Sequence, residues 1–245
     1  MQSDIRITQP SARRPLRRST LPESPPKLRA VGSLTVKRDR RATLARTARL
    51  TVLFADLRGY TGLAERLPPA RIVPLLDEFF EVLATATLSN GGTVFHMAGD
   101  GMMAGFGGLD SEQNGAREAL AAGHAMLQHF GTVAARWRDE LSIETGIGVG
   151  LHLGDVAMGL LGPPDRKSTT LVGDTVNVAA RLCSRARAGE VLLSCTVAAA
   201  LEIDDGEGEL YVGPIPVLHL PQFEMRGRSA PMDIWCVPAI ERVAL

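Results

Sequence analysis

Residues 91–106, Gly-Gly-Thr-Val-Phe-His-Met-Ala-Gly-Asp-Gly-Met-Met-Ala-Gly-Phe, constrain the fold more than any other stretch. An apolar run from Thr93 to Met97 meets a tight corner at Gly99-Asp100-Gly101, and a second run follows from Met102 to Phe106. Two short apolar runs joined by Gly-Asp-Gly predict a β-hairpin with an acid at its tip. Asp-Gly is a common turn former, so Asp100 alone could serve only the turn. A second acid, Asp56, closes another apolar strand, and it changes what Asp100 can be for.

The strand 49–56, Arg-Leu-Thr-Val-Leu-Phe-Ala-Asp, reads as buried. A carboxylate at the end of such a strand costs several kcal/mol unless it is paired, hydrogen-bonded or metal-bound. A turn at Leu57-Arg58-Gly59-Tyr60-Thr61 follows and opens a helix, so Asp56 could alternatively cap that helix. Residues 69–89 carry Ile72, Leu75, Leu76, Phe79, Phe80 and Leu83 at helical spacing, with Pro74 either kinking this helix or lying in its first turn. After the hairpin, 111–139 reads as a long helix and 143–153 as a strand. Gly154-Asp155 reads as a turn into a further strand, Val156 to Leu160, and 162–170 as a loop. A helix over 174–187, a strand at 191–194 and a short helix at 196–202 come next. Strands are expected at 210–212, 217–220, 223–225 and 232–235. Helices alternate with strands, yet the hairpin is antiparallel. The expected fold is therefore α+β: a ferredoxin-like βαββαβ antiparallel sheet with helices on one face and a C-terminal strand extension.

Charge divides the chain. The first fifty residues hold thirteen Lys and Arg against three acids, although the whole chain of 245 residues is formally neutral. With five prolines before residue 27, residues 1–45 read as a disordered basic Pro/Arg-rich arm or linker, and 46–240 as the folded domain. Arg40 to Arg49 could be helical and lead into it. The charge of the arm suits contact with an anionic partner; its scarcity of aromatic residues argues against a specific nucleic-acid role. No apolar run is long enough to span a membrane. Cys183, Cys195 and Cys236 are widely spaced, without metal-ligand spacing, which suits reduced thiols and a cytoplasmic setting.

In a ferredoxin-like sheet the first strand and the hairpin are neighbours, so Asp56 and Asp100 should lie side by side. Two close carboxylates repel, and a divalent cation such as Mg²⁺, completed by substrate phosphates, relieves the repulsion. Free amides at the helix start after Gly59 could receive a polyphosphate. Asn177 and Arg181, four residues apart, share one helical face and suit a ribose and a phosphate, or merely a solvated surface.

Taken together, Phe54-Ala55-Asp56-Leu57-Arg58-Gly59-Tyr60-Thr61, Gly99-Asp100-Gly101, His152-x-Gly154 with Gly159 and Gly162, and Val172-Gly173-Asp174-Thr175-Val176-Asn177-Val178-Ala179-Ala180-Arg181-Leu182 resemble the class III nucleotidyl cyclase catalytic domain, in order and spacing, over roughly residues 48–238. The resemblance implies that Asp56, Asp100 and the backbone carbonyl of Leu57 hold two Mg²⁺ or Mn²⁺ ions. It implies that Arg58, Gly59, Tyr60 and Thr61 form the triphosphate turn, that Asn177 orients the ribose and that Arg181 stabilises the transition state. Arg226 or Arg228 resembles a late basic residue near the terminal phosphates. It further implies a homodimer with shared sites, and metal-assisted attack of the ribose 3′-hydroxyl on the α-phosphate, releasing pyrophosphate. Where adenylyl cyclases usually carry a base-reading Lys this chain has His96, and where many have Asp it has Thr170. His96 can donate one N–H to adenine N1 while Thr170 accepts from the exocyclic amine; His96 cannot accept from both guanine protons. The expected substrate is ATP and the product cyclic AMP. The alternatives are a guanylyl cyclase or a cyclase-like regulatory module with little turnover.

Overall fold

The computed structural model describes residues 46–108, 113–203, 210–224 and 231–239. The expected arm over 1–45 and both Arg226 and Arg228 lie outside the described residues. Strand β1 (Arg46–Arg58) is followed by α1 (Tyr60–Arg66) and α2 (Pro69–Ser89), then by the hairpin of β2 (Thr93–Ala98) and β3 (Gly101–Phe106). Next come α3 (Ala116–Leu141), β4 (Gly146–Leu161), β5 (Ser168–Val172), α4 (Asp174–Arg185), β6 (Glu190–Ser194) and α5 (Cys195–Ala200). The chain closes on β7 (Leu210–Val212), β8 (Ile215–Phe223) and β9 (Met232–Val237). Among the described residues nine strands share one sheet, in the order β2-β3-β1-β4-β6-β9-β8-β7, with β5 paired to β4. The first four are the ferredoxin-like order, and β6 to β9 are the C-terminal extension. The β4–β6 pairing is parallel; the others are antiparallel.

The side-chain alternation of β1 sorts the two faces of the sheet. Leu53, Ala55 and Leu57 point into the main core with Phe79 and Leu83 of α2 and Met126 and Phe130 of α3. With so few aromatics, the core relies on one chain of edge-on rings. Phe130 stands 5.6 Å from Phe79 and 5.5 Å from Trp137, whose Nε1 donates to Glu78 Oε2 at 2.9 Å. Leu50 and Val52, on the other face of β1, pack with Ala179 of α4. The expectation of helices on one face therefore holds for α2 and α3, while α4 covers the opposite face.

Glycines explain how α4 comes so close. Gly148, Gly150 and Gly154 are alternate residues on the α4 side of β4. A Cβ at Gly150 would overlap the Cys183 amide and the Ala179 carbonyl, and one at Gly154 would lie 2.5 Å from Thr175 Oγ1. Gly150→Ala is expected to cost about 3 kcal/mol, because the obstruction is helix backbone that cannot swing aside. Urea unfolding checks this, and a loss below about 1 kcal/mol would mean that α4 can lift off the sheet.

Several boundaries differ from the sequence reading. Gly154-Asp155 is not a turn: β4 runs unbroken from Gly146 to Leu161, because Gly154 pairs with Leu50 and Asp155 with Arg49. The same pairing places Arg46 to Arg49 in β1 rather than in a helix. The expected loop 162–170 ends in β5, whose Ser168 to Val172 pair with Leu161 to Ala157. The strand expected at 217–220 and the start of the one expected at 223–225 form one strand, β8, which ends at Phe223; Met225 lies outside the described residues. The long helix expected from 111 begins at Ala116. Pro74 sits in the second turn of α2, not the first. Among the described residues no helix is long and apolar enough to cross a membrane.

Candidate active site

Asp56 ends the apolar part of β1, between Gly101 of β3 and Gly148 of β4. Asp100 forms the hairpin tip beyond Gly99, which takes the left-handed φ of 60° that this turn needs. The Leu57 amide donates to the Asp100 carbonyl at 2.9 Å, stitching the tip to β1. The side-by-side placement expected from the fold plan is thus observed. Its electrostatic consequence is visible on Asp56. Partial burial raises its pKa above the usual carboxylate value, the Asp100 charge raises it further, and only Arg58 pulls it down. Capping does not account for Asp56, because Gly59, at φ 78°, is the N-cap of α1 and no side chain caps that helix.

Gly59, Tyr60 and Thr61 follow as the turn into α1, with the Gly59 carbonyl accepting from Leu63 at 3.1 Å. The Arg58 side chain leaves this turn and folds back beneath the sheet. Its Nη1 donates to Asp56 Oδ1 at 2.9 Å, and its Nη2 donates to the Cys183 carbonyl at the C-terminal half of α4. Sequence reasoning had Arg58 only in a phosphate-binding turn; the fold gives its guanidinium two protein partners. The signal available in the sequence was Gly148, since a Cβ there would overlap the guanidinium. The Cys183 thiol beside it donates to the Gly148 carbonyl at 3.3 Å. Burial pushes that thiol up to about 12, against the pull of Arg58, so it is an inert packing group. All three cysteines are free thiols.

The remaining candidates fall into two groups. Asn177 and Arg181 lie on the outward side of α4, whose inward side is Thr175, Val178, Ala179, Leu182 and Cys183. Neither reaches Asp56 as Arg58 does. His96 is exposed on β2, just after a register shift that sets Phe95 aside, and it pairs with Met103. Thr170 on β5 pairs with Gly159 of β4 and is partly exposed. Phe95 and Leu171, next to His96 and Thr170 in the chain, share one apolar cluster with Met103. The fold thus gathers the two base-side candidates into one neighbourhood. Met97, Leu160, Leu161 and Val172, large apolar residues on these same three strands, are exposed.

The arrangement can hold a hard cation at two carboxylates and present an amide and a guanidinium on a separate outward face. The sequence profile described as "Adenylate and Guanylate cyclase catalytic domain" matches residues 43–235. An adenylate cyclase of Anabaena cylindrica is 34% identical over 146 residues, which is 56% of this chain and 27% of that protein. The chain thus matches about a quarter of the length of its curated relatives. The crystal structure of the adenylyl cyclase CyaB from P. aeruginosa superposes with TM-score 0.71 at 28% identity, covering 82% of this chain and 100% of that one. That of the guanylyl cyclase Cya2 superposes with TM-score 0.66 at 28% identity, covering 82% and 98%. This chain belongs to the adenylate and guanylate cyclase catalytic domain family, the class III nucleotidyl cyclases.

Proposed function

We propose that the chain is an adenylyl cyclase that converts ATP to 3′,5′-cyclic AMP and pyrophosphate in a site shared by two copies of the chain. The observation that carries this reading is the division of the candidates: Asp56 and Asp100 meet at one end of β1, while Asn177 and Arg181 stand on the outward side of the helix behind it. A second copy is what would bring an Asn and an Arg over the two acids. The exposed Met97, Leu160, Leu161 and Val172 around the base-side candidates support such a partner surface.

The donor set fits Mg²⁺ or Mn²⁺. It offers hard oxygens only, from Asp56, Asp100 and the Leu57 carbonyl, beside a carboxylate already made costly by its neighbour. Among the described residues no three His, Cys, Asp or Glu side chains converge, which leaves the remaining coordination to phosphate oxygens and water. When bound, such cations neutralise phosphate charge and make the ribose 3′-hydroxyl more acidic. The chain's own part is positional. Gly59, Tyr60 and Thr61 line the triphosphate, Asn177 of the second copy orients the ribose, and its Arg181 faces the charge that develops at the α-phosphate.

CyaB and Cya2 are equally identical to this chain, so likeness does not choose the nucleotide. His96 and Thr170 carry the choice: one imidazole N–H to adenine N1, and the Thr170 hydroxyl accepting from the exocyclic amine. Purified protein with Mn²⁺ is expected to form cyclic AMP from ATP faster than cyclic GMP from GTP. A folded dimer that makes neither product overturns the enzyme reading, and faster GTP turnover overturns the adenylyl assignment. His96→Lys is expected to raise the ATP/GTP rate ratio about tenfold, since a charged donor suits adenine N1 and repels the guanine N1–H. An unchanged ratio would remove His96 from base recognition.

A further inference from the structure

Arg58 has an arrangement that a phosphate-binding role does not explain. Its guanidinium lies between the metal-side carboxylate and α4. Nη1 is 2.9 Å from Asp56 Oδ1, Nη2 donates to the Cys183 carbonyl, and the same Nη2 is 3.7 Å from the Cys183 sulfur. Its Nε is buried and, among the described residues, has no hydrogen-bond partner. Gly148, the register partner of Asp56 on β4, provides the slot, since any side chain there would collide with the guanidinium. The Arg58 side chain is 23% exposed and that of Asp56 38%, so the ion pair is half-buried.

We infer that Arg58 is a positioning residue that stands on Asp56 as an internal cation, so that a divalent ion must bind against a built-in competitor. The inference rests on reading Asp56 and Asp100 as metal ligands. The guanidinium occupies Oδ1 alone. Oδ2 is on the Gly101 side, 3.6 Å from where a Cβ at Gly101 would stand. A cation entering there meets a carboxylate whose orientation is already set by Arg58 and whose charge is already partly met. Two consequences follow. The orienting hydrogen bond pre-shapes the ligand, as outer partners of metal ligands do. The nearby positive charge lowers the affinity for the ion, so the site fills at lower ion concentration once substrate phosphates add their own negative charge. The same guanidinium holds the Cys183 carbonyl, so Asp56 is tethered to the helix that carries Asn177 and Arg181.

The test is Mn²⁺ binding to the full chain without nucleotide, read from the electron paramagnetic resonance signal of free Mn²⁺. Arg58→Met, which removes the charge and keeps the length, is expected to bind Mn²⁺ about tenfold more tightly than wild type. Arg58→Lys, which keeps the charge, is expected to stay within about twofold of wild type. Arg58→Gln serves as a second neutral variant if the Met protein does not fold. A folded neutral variant that binds Mn²⁺ no more tightly than wild type, or a Lys variant that tightens as the neutral ones do, overturns the inference. If neither wild type nor the folded neutral variants bind Mn²⁺, the metal reading of Asp56 and Asp100 falls with it. Wild-type binding that is lost in Asp100→Asn, together with unchanged affinity in Arg58→Met, leaves that reading standing and removes only the role of Arg58.

Discussion

Asp100→Asn is expected to lower cyclic nucleotide production roughly a thousandfold or more, and at the same time to raise the melting temperature of the metal-free protein. Both effects come from the same pair of charges. Asp56 is held above its ordinary pKa, by its own burial first and by Asp100 second, with Arg58 opposing. A carboxyl raised in the folded state destabilises the fold when it ionises. Its favourable contribution is complete below the unfolded value of 3.8 and is lost as pH rises through the folded value. At neutral pH the metal-free fold therefore carries the full penalty, and removing the Asp100 charge relieves part of it. Asn also suits the turn, because Asn-Gly forms the same tight corners as Asp-Gly. The Asp56 side chain is 38% exposed, so solvent screens the gain to about 1–2 °C at pH 7. The gain should shrink towards pH 3, where the raised Asp56 carboxyl is protonated and its penalty is gone. Mn²⁺ should reverse the order, raising the wild-type melting temperature and leaving the variant where it was. Thermal melts at the two pH values, with and without Mn²⁺, check all of this. A variant that melts below wild type at pH 7 without metal contradicts the electrostatic account.

Mixing two inactive proteins is expected to restore activity. Asp100→Asn and Arg181→Ala should each leave about a hundredth of wild-type turnover or less when alone, since every site in either homodimer lacks one essential group. Exchange of subunits in an equal mixture makes about half of the dimers mixed, and each mixed dimer has one intact site of two. The mixture should therefore recover about a quarter of wild-type activity. Helix α4 packs its inward side on the sheet and carries Asn177 and Arg181 on its outward side. An assay of the two variants separately and after mixing decides it. Activity no greater than the sum of the separate proteins would mean that each chain builds its site alone.

Much of the fold was legible because its strongest signals are local. The helix 69–89 announced itself through apolar residues at helical spacing, and α2 has those bounds. The hairpin was written in Gly99-Asp100-Gly101 between two apolar runs, and β2 and β3 flank that corner. The misreadings share one cause. Glycine, a turn signal when only the chain is in view, acts at Gly154 as a space-maker inside a continuous strand, because Thr175 of α4 sits where a side chain would be. Gly148 and Gly150 act in the same way, and what they make room for is twenty-nine or more residues away in the chain. Arg58 illustrates the same gap within the candidate site. Its place in the turn could be read, but its two hydrogen-bond partners could not, because one of them is a backbone carbonyl on a helix that only the folded sheet brings near.

The order of elements, the acids at the ends of Asp56's strand and the Asp100 hairpin, and the family motifs all follow from the sequence by itself, through periodicity, turn chemistry and the cost of burying a carboxylate. Tertiary structure alone decided which face of the sheet α4 covers, that Asn177 and Arg181 lie on the side of α4 turned away from the sheet, and that Arg58 is already engaged with Asp56. Those outcomes depend on contacts between residues distant in the chain, where close packing between a glycine-lined strand and a helix backbone selects one arrangement.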